Sequence, residues 1–382
     1  MDQPSFAHAL LPAGLRDLLP PDAETEATAV DAAMAIFAQF GYQRVKPPLL
    51  EFEEGLLSEA GAAVAEHMFR IMDPESQRML GLRADMTPQV ARIATTRLAA
   101  APRPLRLCYA GQCLRVRGRQ LAPDRQVAQA GIELIGSDSA AADAEVIATA
   151  AEALSVAGVA RFSVDLTLPP LAPGLLDAHG VTGHARTALL HALDRKDVAG
   201  VAATGGDLAP LLTTLLQAAG PVGPALEALS RATLPEALDP LVAQLAAAVD
   251  ALQSRAPALR LTLDPIEFRG FRYHTGLSAT VFAPGHHEEL GRGGRYLCGT
   301  EPAVGFTLFP DAVLRAAAPR RPMARAFVPW DTRQGEAARL RSAGYATVAA
   351  LAPHGDPAAE AARLACTHIL RDGAAVPLEG ER

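Results

Sequence analysis

The sequence predicts an α+β protein in which helices flank an antiparallel sheet, with a helical insertion and a small α/β unit at the end. Residues 105–118 and 125–136 have the pattern of two antiparallel strands joined by a short loop. Residues 170–257 are rich in alanine and leucine at helical spacing, and the last segment alternates short strands with helices. We therefore expect a core of residues 1–169 and 258–318, an insertion of residues 170–257 and a C-terminal unit of residues 323–382.

The first half of the core alternates helices with short strands. Met34, Phe37 and Phe40 recur at helical spacing, and Gly41 suits the position that follows a helix end. Thr87, which precedes a proline, marks the start of another helix. Strands are predicted at 43–51, 67–73, 78–85 and 161–168. Two further helices are predicted at 87–99 and 141–158.

Strand character returns after the insertion, and a proline-containing segment at 319–325 predicts a linker to the C-terminal unit. The strands of the core lie at 259–270, 277–285 and 303–310. In the C-terminal unit we expect strands at 325–330 and 345–351, and helices at 334–344 and 357–373.

Composition and charge exclude several classes of function. The chain is 49% hydrophobic and 20% charged, with a net charge of −7, so no nucleic-acid partner is expected. The N-terminal segment lacks the pattern of a signal peptide and no apolar window is long enough to span a membrane, which favours a cytoplasmic protein with no membrane partner. No cysteine pair has CxxC spacing, so we expect reduced thiols and no metal site; the cysteines are Cys108, Cys113, Cys298 and Cys366.

An aspartate stands between a predicted strand and a predicted helix. The segment is LRADMTPQVAR, residues 82–92, and the carboxylate is Asp85. A carboxylate at that position either holds an ammonium group or simply favours the helix dipole. The residues alone leave both roles open.

The hairpin carries a cluster of cations. Arg115, Arg117 and Arg119 alternate by two, which predicts that they share one strand face, and Arg125 lies on the other arm. Such a face is either solvated or an anion-binding groove, because guanidinium groups match carboxylates and phosphates.

Polar residues also lie in the second arm of the hairpin, in the segment AQAGIELIG. Gln129 and Glu133 share a strand face with Ile135, so they are predicted to be buried and to need partners. Arg115 on the neighbouring strand is the expected partner.

Two glycine-containing motifs, FRGFRYHTG at 268–276 and GRGGRYL at 291–297, combine aromatic and cationic residues. Glycine permits close approach of the backbone to a ligand. We therefore expect Arg269, Tyr273, His274 and Tyr296 to line a small polar pocket. The segment GHHEE at 285–289 is predicted to be a surface hairpin turn, because adjacent histidines in a strand point to opposite faces and chelate a metal poorly.

Taken in order, these motifs resemble the catalytic core of histidyl-tRNA synthetase, a class II aminoacyl-tRNA synthetase. The resemblance covers roughly residues 10–315, apart from the helical insertion. It implies a class II synthetase-like fold in which the segment at 268–276 forms a wall of a histidine pocket. The matching segments are PAGLRDLLP, LRADMTP, CLRVRGRQ, RGFRYHTG and GGRY.

The ATP-binding positions of that family are altered in this chain. Arg117 stands where motif 2 has a glutamate that contacts ATP, and Pro123 replaces a loop arginine. Phe309 and Ala312 replace the glycine and the ATP-clamping arginine of motif 3. Each lost contact removes about 2–4 kcal/mol of transition-state stabilisation. The resemblance therefore implies no catalytic residues, no cofactor and no adenylation chemistry.

The amino-acid-binding positions are better kept. The resemblance implies that Asp85 holds the α-ammonium group of histidine, that Arg115 or Arg269 pairs with its carboxylate, and that aromatic rings enclose its imidazole. Gln129 and Glu133 would give polar support. The implied histidine site consists of Asp85, Thr87, Arg115, Gln129, Glu133, Arg269, Tyr273, His274 and Tyr296.

An amino-acid pocket without an ATP site is similar to the regulatory subunits of ATP phosphoribosyltransferase, which are paralogues of the synthetase that support the first step of histidine biosynthesis. This resemblance implies a short-form catalytic subunit as partner, L-histidine as effector, and a homodimer formed around residues 30–57 within a hetero-oligomer. The alternatives are a synthetase with an altered core and a free-standing paralogue that modifies another protein or senses an amino acid. The sequence does not decide whether histidine binds in this pocket or at a subunit interface. It also does not assign a role to residues 323–382.

Overall fold

The computed structural model describes residues 10–57, 62–118, 122–267, 273–318 and 322–378. The chain divides into two compact units, Met1–Ala318 and Pro319–Arg382. The predicted linker at 319–325 begins at this division, and its first three residues lie outside the described ones.

A nine-stranded sheet forms the centre of the first unit. In spatial order the strands are β1 (Gln43–Arg44), β5 (Leu105–Leu114), β6 (Gln126–Ile135), β12 (Glu301–Leu308), β11 (Gly291–Cys298), β10 (Ser278–Phe282), β7 (Ser163–Thr167), β9 (Arg260–Asp264) and β8 (Gly220–Pro221). Adjacent strands are antiparallel, as expected, except for the parallel pairs β1–β5 and β7–β9. The two edge strands, β1 and β8, are short.

Two long helices, α1 (Asp22–Gln39) and α4 (Ala140–Val156), cover one face of this sheet. Their apolar side chains meet the strands, and Phe37, Leu154 and Ile132 are fully buried in one core. Helix α1 ends as the sequence predicts, because Gly41 takes a positive φ of 82° that a residue with a Cβ atom adopts only with strain.

A second sheet, of three antiparallel strands, is formed by the part of the chain between α1 and the β5–β6 hairpin. It consists of β2 (Leu50–Phe52), β3 (Arg70–Met72) and β4 (Met79–Leu82), with β4 in the centre. The short helix α2 (Glu53–Leu56) follows β2, and α3 (Thr87–Thr95) begins just after β4 with a proline in its first turn, as predicted.

The alanine- and leucine-rich segment is helical, as expected, and its buried leucines join the same hydrophobic core as the sheet. Strand β8 also pairs with β9 of the sheet. The hydrophobic core is therefore continuous between this segment and the sheet. The boundaries of the insertion, at residues 170 and 257, stay a prediction. The helices are α5 (Leu171–Ala178), α6 (Gly183–Asp194), α7 (Val198–Thr204), α8 (Ala209–Gln217), α9 (Val222–Arg231) and α10 (Asp239–Arg255), and α11 (Pro310–Ala316) ends the unit.

The second unit is a four-stranded sheet with two helices. Its order is β14-β13-β15-β16, with the first three strands parallel and the last antiparallel. The elements are β13 (Arg325–Val328), α12 (Gln334–Ser342), β14 (Ala346–Ala349), α13 (Pro357–Arg363), β15 (His368–Arg371) and β16 (Ala374–Pro377).

One predicted element of this unit is wrong in its second half. The helix expected at 357–373 ends at Arg363, and Ala365 has a positive φ of 52°, which breaks helical geometry. Ile369 and Leu370 are then buried in strand β15, because burial on the sheet outweighs the helical pattern of the preceding alanines.

Within the described residues, no helix is long and apolar enough to cross a membrane.

Candidate functional site: a polar cavity on the sheet

A cavity of about 160 Å³ opens where β4, α3, the β5–β6 hairpin and strands β11 and β12 meet. Seven of the nine predicted site residues line it, Gln129 lies directly behind it, and Arg269 falls outside the described residues. The seven are Asp85, Thr87, Arg115, Glu133, Tyr273, His274 and Tyr296.

Asp85 accepts a hydrogen bond at the start of α3 and also faces the cavity, so the ammonium-binding role stays a prediction. Its Oδ1 accepts a hydrogen bond of 2.9 Å from the backbone N–H of Thr87, at the start of α3. Its Oδ2 accepts one of 3.0 Å from Nε2 of Gln129. The half-buried carboxylate is therefore held in one orientation while it lines the cavity.

Gln129 is fully buried and acts on the cavity through its neighbours. Its Oε1 accepts hydrogen bonds from the N–H of Met86 at 3.0 Å and from the thiol of Cys113 at 3.2 Å. Both the oxygen and the nitrogen of the side-chain amide are therefore held by hydrogen bonds, and the amide fixes Asp85 against the hairpin.

Glu133 lies at the base of the cavity and is almost completely buried. The hydroxyls of Tyr296 and Tyr109 donate to its Oε2 and Oε1 at 2.9 and 3.3 Å. Burial raises its pKa to about 8, although these hydrogen bonds oppose the shift, and the nearby charge of Asp85 adds to it. This carboxyl group is therefore mostly protonated at pH 7.

The neighbouring strand makes room for Glu133 with a glycine. Gly305 of β12 lies directly opposite Glu133 in the register. A Cβ atom at Gly305 would lie 1.8 Å from Oε2 of Glu133, so any larger residue would displace the carboxyl group from its two tyrosines.

Aromatic rings form one side of the cavity. The Tyr273 ring lies 4.2 Å from the His274 ring and 6.5 Å from the Tyr296 ring, the latter at a steep angle. His274 Nδ1 donates to the carbonyl of Arg295 at 3.2 Å. Burial lowers the pKa of His274 to about 4, so the ring is neutral at pH 7 and keeps Nε2 as an acceptor.

Three arginines also line the cavity: Arg115, Arg117 and Arg292. Burial lowers the pKa of Arg115, and the charge of Arg292 adds to this effect while Asp85 opposes it. The Nη1 atom of Arg292 also lies 3.5 Å from Oε2 of Glu289. The cavity therefore combines carboxyl and guanidinium groups in one lining.

Two expectations about the hairpin arginines are wrong. Strand β5 ends at Leu114, so Arg115 and Arg117 do not share a strand face; Arg117 is exposed and Arg115 is half-buried. The chain turns there because the N–H of Val116 bonds to the carbonyl of His67 rather than across the hairpin. Arg119 lies outside the described residues.

Arg115 is also not the partner of Gln129 and Glu133. Its Nε reaches the carbonyl of Ala84 at 3.5 Å, beyond the strand end. Gln129 instead pairs with Asp85, and Glu133 pairs with tyrosine hydroxyls, as described above.

The sequence analysis missed Tyr109 and Thr307, which complete the base of the cavity. The Tyr109 hydroxyl lies 2.8 Å from Oγ1 of Thr307 and 3.3 Å from Oγ1 of Thr87. A signal was present: Gly131 lies between Gln129 and Glu133 on the same strand face and leaves a gap there. Tyr109 fills this gap, since its hydroxyl lies 2.5 Å from the Cβ position of Gly131.

A second cavity, of about 360 Å³, adjoins the first and shares Arg115 and Phe309 with it. Its lining includes Phe309 and Ala312, which stand at the altered motif 3 positions. Asp311 is anchored there, because its Oδ2 accepts a hydrogen bond of 3.0 Å from the N–H of Ala128. Carboxylates outnumber the two arginines, Arg115 and Arg315, in this lining, which makes the cavity a poor match for a triphosphate. The carboxylates are Asp124, Glu288, Glu289 and Asp311.

Among the described residues, no group of three or more histidine, cysteine, aspartate or glutamate side chains is arranged to hold a metal ion. The predicted turn at 285–289 joins the antiparallel strands β10 and β11, and its Glu288 forms an ion pair with Arg315 of α11.

The fold and the cavity define a class II histidyl-tRNA synthetase-like protein. The profile of the histidyl-tRNA synthetase family matches residues 14–313. A solved structure from Bacillus halodurans C, described as an ATP phosphoribosyltransferase regulatory subunit/histidyl-tRNA synthetase, superposes with a TM-score of 0.80 at 26% identity, covering 95% of this chain and 97% of that one.

Within that class, the chain belongs to the family of ATP phosphoribosyltransferase regulatory subunits. A relative of that name from Paramagnetospirillum magneticum is 55% identical over 98% of this chain and 99% of its own length. A chain of the ATP phosphoribosyl transferase complex from Thermotoga maritima shares the fold, with a TM-score of 0.58 at 18% identity over 75% of this chain and 97% of that one.

Proposed function

We propose that this chain is the non-catalytic regulatory subunit of an ATP phosphoribosyltransferase, required for the first step of L-histidine biosynthesis, and that its cavity binds L-histidine as the feedback effector. The observation that carries the ligand assignment is the polarity of the cavity. Its lining combines the carboxyl groups of Asp85 and Glu133 with three guanidinium groups, which matches a zwitterion with a basic ring.

Histidine fits this arrangement group by group. Asp85 accepts from the α-ammonium group, and Arg115 pairs with the α-carboxylate. The imidazole lies against the rings of Tyr273 and His274, which line the same cavity as Glu133. The size is also suitable, because a cavity of roughly 150 Å³ already accepts a benzene ring, and this one measures about 160 Å³.

The proposed partner is a short-form catalytic subunit that binds ATP and phosphoribosyl pyrophosphate. Histidine would regulate that subunit by binding one arrangement of the assembly more tightly than another. Membership of the regulatory-subunit family and the shared fold of the Thermotoga maritima chain support this partner. A cytoplasmic location, where free thiols persist, is part of the same proposal; all four cysteines are unpaired.

We further propose a homodimer within the hetero-oligomer, formed through the three-stranded sheet that follows α1. Large apolar side chains are exposed on both faces of this sheet and beside it, and we call them the apolar strip. Contact with a second copy would remove this apolar surface from water. The apolar strip consists of Leu49, Leu50, Ile71, Met72 and Met79, whose exposed fractions range from 37% to 53%.

Isothermal titration calorimetry with L-histidine tests the ligand assignment, on the chain alone and on the complex with the catalytic subunit. We expect saturable binding of L-histidine and no binding of L-alanine, which lacks the ring. Absence of heat at millimolar histidine in both samples would overturn it.

Histidine-dependent exchange of pyrophosphate into ATP separates the regulatory subunit from a charging enzyme. We expect no exchange above background, because carboxylates line the cavity at the altered motif 3 positions. Robust exchange would assign the chain to the synthetases instead.

A further inference from the structure

A large open cleft lies elsewhere on the first unit. It forms where β7 and β9 begin and β10 ends, beside the last turns of α4 and α10. Its volume is about 1020 Å³, and its described lining shares no residue with the two cavities above. The proposed function gives no role to this region.

The floor of the cleft is apolar. Phe40, Phe162 and Phe282 reach it from three different elements, and Ala148 and Leu259 lie between them. These side chains are half-buried, so a good part of their surface remains in contact with water. Covering such a surface is favourable by about 25 cal/mol per Å² of apolar area.

The rim of the cleft is cationic in a chain whose net charge is −7. Arg161, Arg255 and Arg260 are exposed there, and Glu152 is the carboxylate in the described lining. Within the described part of the chain, the side chains of Arg161 and Arg260 form no ion pair or hydrogen bond. Like charges gathered without partners repel one another, so an anionic occupant would lower the free energy of this rim.

Arg255 has a weak internal partner. Its guanidinium lies 4.0 Å from Glu145, and that carboxylate is already held by two hydrogen bonds from Arg106, at 2.7 and 2.9 Å. The third arginine of the rim is therefore also available to an incoming carboxylate.

We propose that this cleft is the docking surface for an acidic, amphipathic segment of the catalytic subunit, an inference that rests on the proposed function. Apolar residues of the segment would cover the phenylalanine floor, and its carboxylates would pair with Arg161, Arg255 and Arg260. This combination of apolar groove and charged rim is how proteins recognise amphipathic segments. Arginine is also enriched among the residues that dominate binding energy at interfaces.

Size and exposure favour a protein segment over a small anion. The cleft is at the upper limit of small-molecule pockets, which measure roughly 300–1,000 Å³. Its guanidinium groups lie along an exposed rim instead of converging on one buried point. A second copy of the chain has another surface available, the apolar strip of the three-stranded sheet.

The test compares two double charge reversals in the full-length chain, titrated with the short catalytic subunit of the same organism by calorimetry at two salt concentrations. R161E/R260E alters the rim. R97E/R195E is the matched control, because Arg97 and Arg195 are exposed, lie outside the cleft and change the net charge equally. Sedimentation of each variant alone and its histidine titration check assembly and folding.

We expect R161E/R260E to weaken binding of the catalytic subunit at least tenfold and to reduce its salt dependence. R97E/R195E should bind as the wild type does, and both variants should keep wild-type histidine affinity. Equal binding by wild type and R161E/R260E would overturn the docking surface alone. The docking surface would also be overturned if R161E/R260E changed its oligomeric state without the catalytic subunit, because the cleft would then be a contact between two copies of this chain. Failure of the wild type to bind any catalytic subunit would overturn the proposed function, and the docking surface with it.

Discussion

Two carboxyl groups in one cavity have different environments, and this difference defines the chemistry of the site. Asp85 is half-buried and receives hydrogen bonds from a backbone N–H and an amide. Glu133 is buried against tyrosine hydroxyls, and no cation contacts its carboxyl group among the described residues. We infer that Asp85 supplies a fixed negative charge, whereas Glu133 gives up its proton when a cationic group enters.

The substitution Asp85→Asn tests the fixed charge. It keeps an oxygen to accept from Thr87 but removes the charge that pairs with an ammonium group. A charged hydrogen bond contributes about 1.5–3 kcal/mol, so we expect histidine affinity to fall by a factor of about ten to one hundred. Calorimetry measures this loss, and D31N on the exposed side of α1 is the control. Unchanged affinity in D85N would exclude Asp85 as the ammonium partner.

The pH dependence of unfolding tests the environment of Glu133. Its pKa in the folded chain is about 8, against roughly 4.3 for a free glutamate, so the folded state holds a proton that the unfolded state releases between these values. The free energy of unfolding therefore falls as pH rises through this window, by at most about 1.4 kcal/mol per pH unit. His274, with its pKa lowered to about 4, acts in the opposite direction, but only below roughly pH 6.5.

We therefore expect E133Q to flatten the decline in stability between pH 6.5 and 8, measured by urea unfolding at several pH values. The matched control is E236Q, because Glu236 is exposed in the helical segment. A wild-type slope in E133Q would show that Glu133 is ionised in the folded chain.

At the scale of elements, strand β11 separates ligand binding from structural support. Its alternation directs Tyr296 to the cavity and Arg295 to the opposite face, where the guanidinium forms two hydrogen bonds with Asp143 of α4, at 3.1 and 2.8 Å. Both members of this ion pair are almost fully buried. The motif GGRY therefore contributes one residue to the site and one to the packing of a helix.

Replacing Arg295 by leucine should be strongly destabilising, because Asp143 would remain buried without a counter-charge. We expect a loss of about 3–5 kcal/mol in the free energy of unfolding, measured by urea denaturation. R231L is the control, since the exposed Arg231–Glu227 pair contributes at most about 1 kcal/mol. The double variant R295L/D143L should be more stable than R295L alone, and the reverse order would contradict this account.

At the scale of the whole molecule, the apolar strip shares no residue with the cavity or with the open cleft beside α4 and α10. Met72 and Met79 lie opposite each other in the β3–β4 pair, and the exposed side chain of Ile71 lies on the other face of the same sheet. These three regions match the three proposed roles: the cavity for a ligand, the apolar strip for a second copy and the cleft for the catalytic subunit.

If the proposed homodimer forms through the apolar strip, introducing a charged side chain there should separate the two copies. We expect M72E to sediment as a monomer at micromolar concentration, where the wild type is a dimer, because a carboxylate would be buried without a partner. L351E is the control, since Leu351 is 90% exposed and belongs to the second unit. A dimeric M72E, or a monomeric wild type, would place the contact elsewhere or remove it.

Much of the site follows from sequence because local pattern determines which residue types lie at strand ends and helix starts. Asp85 before a Thr-Pro helix start, and Gln129 and Glu133 at an interval of four in a strand, were recognisable in this way. The helix at 357–373 failed for the opposite reason: its alanine spacing favours a helix, but Ile369 and Leu370 gain more from burial in a sheet.

The sequence by itself determined the class of fold and most of the residue types that line the cavity, since these depend on pattern and spacing, and its resemblance to the synthetases identified the altered nucleotide positions. Only the tertiary structure decided which groups touch. It paired Gln129 with Asp85 instead of Arg115, and it gave Glu133 to Tyr109 and Tyr296. Partners drawn from distant strands depend on register and on where each strand ends, and side-chain hydrogen bonds require contact within about 3.2 Å.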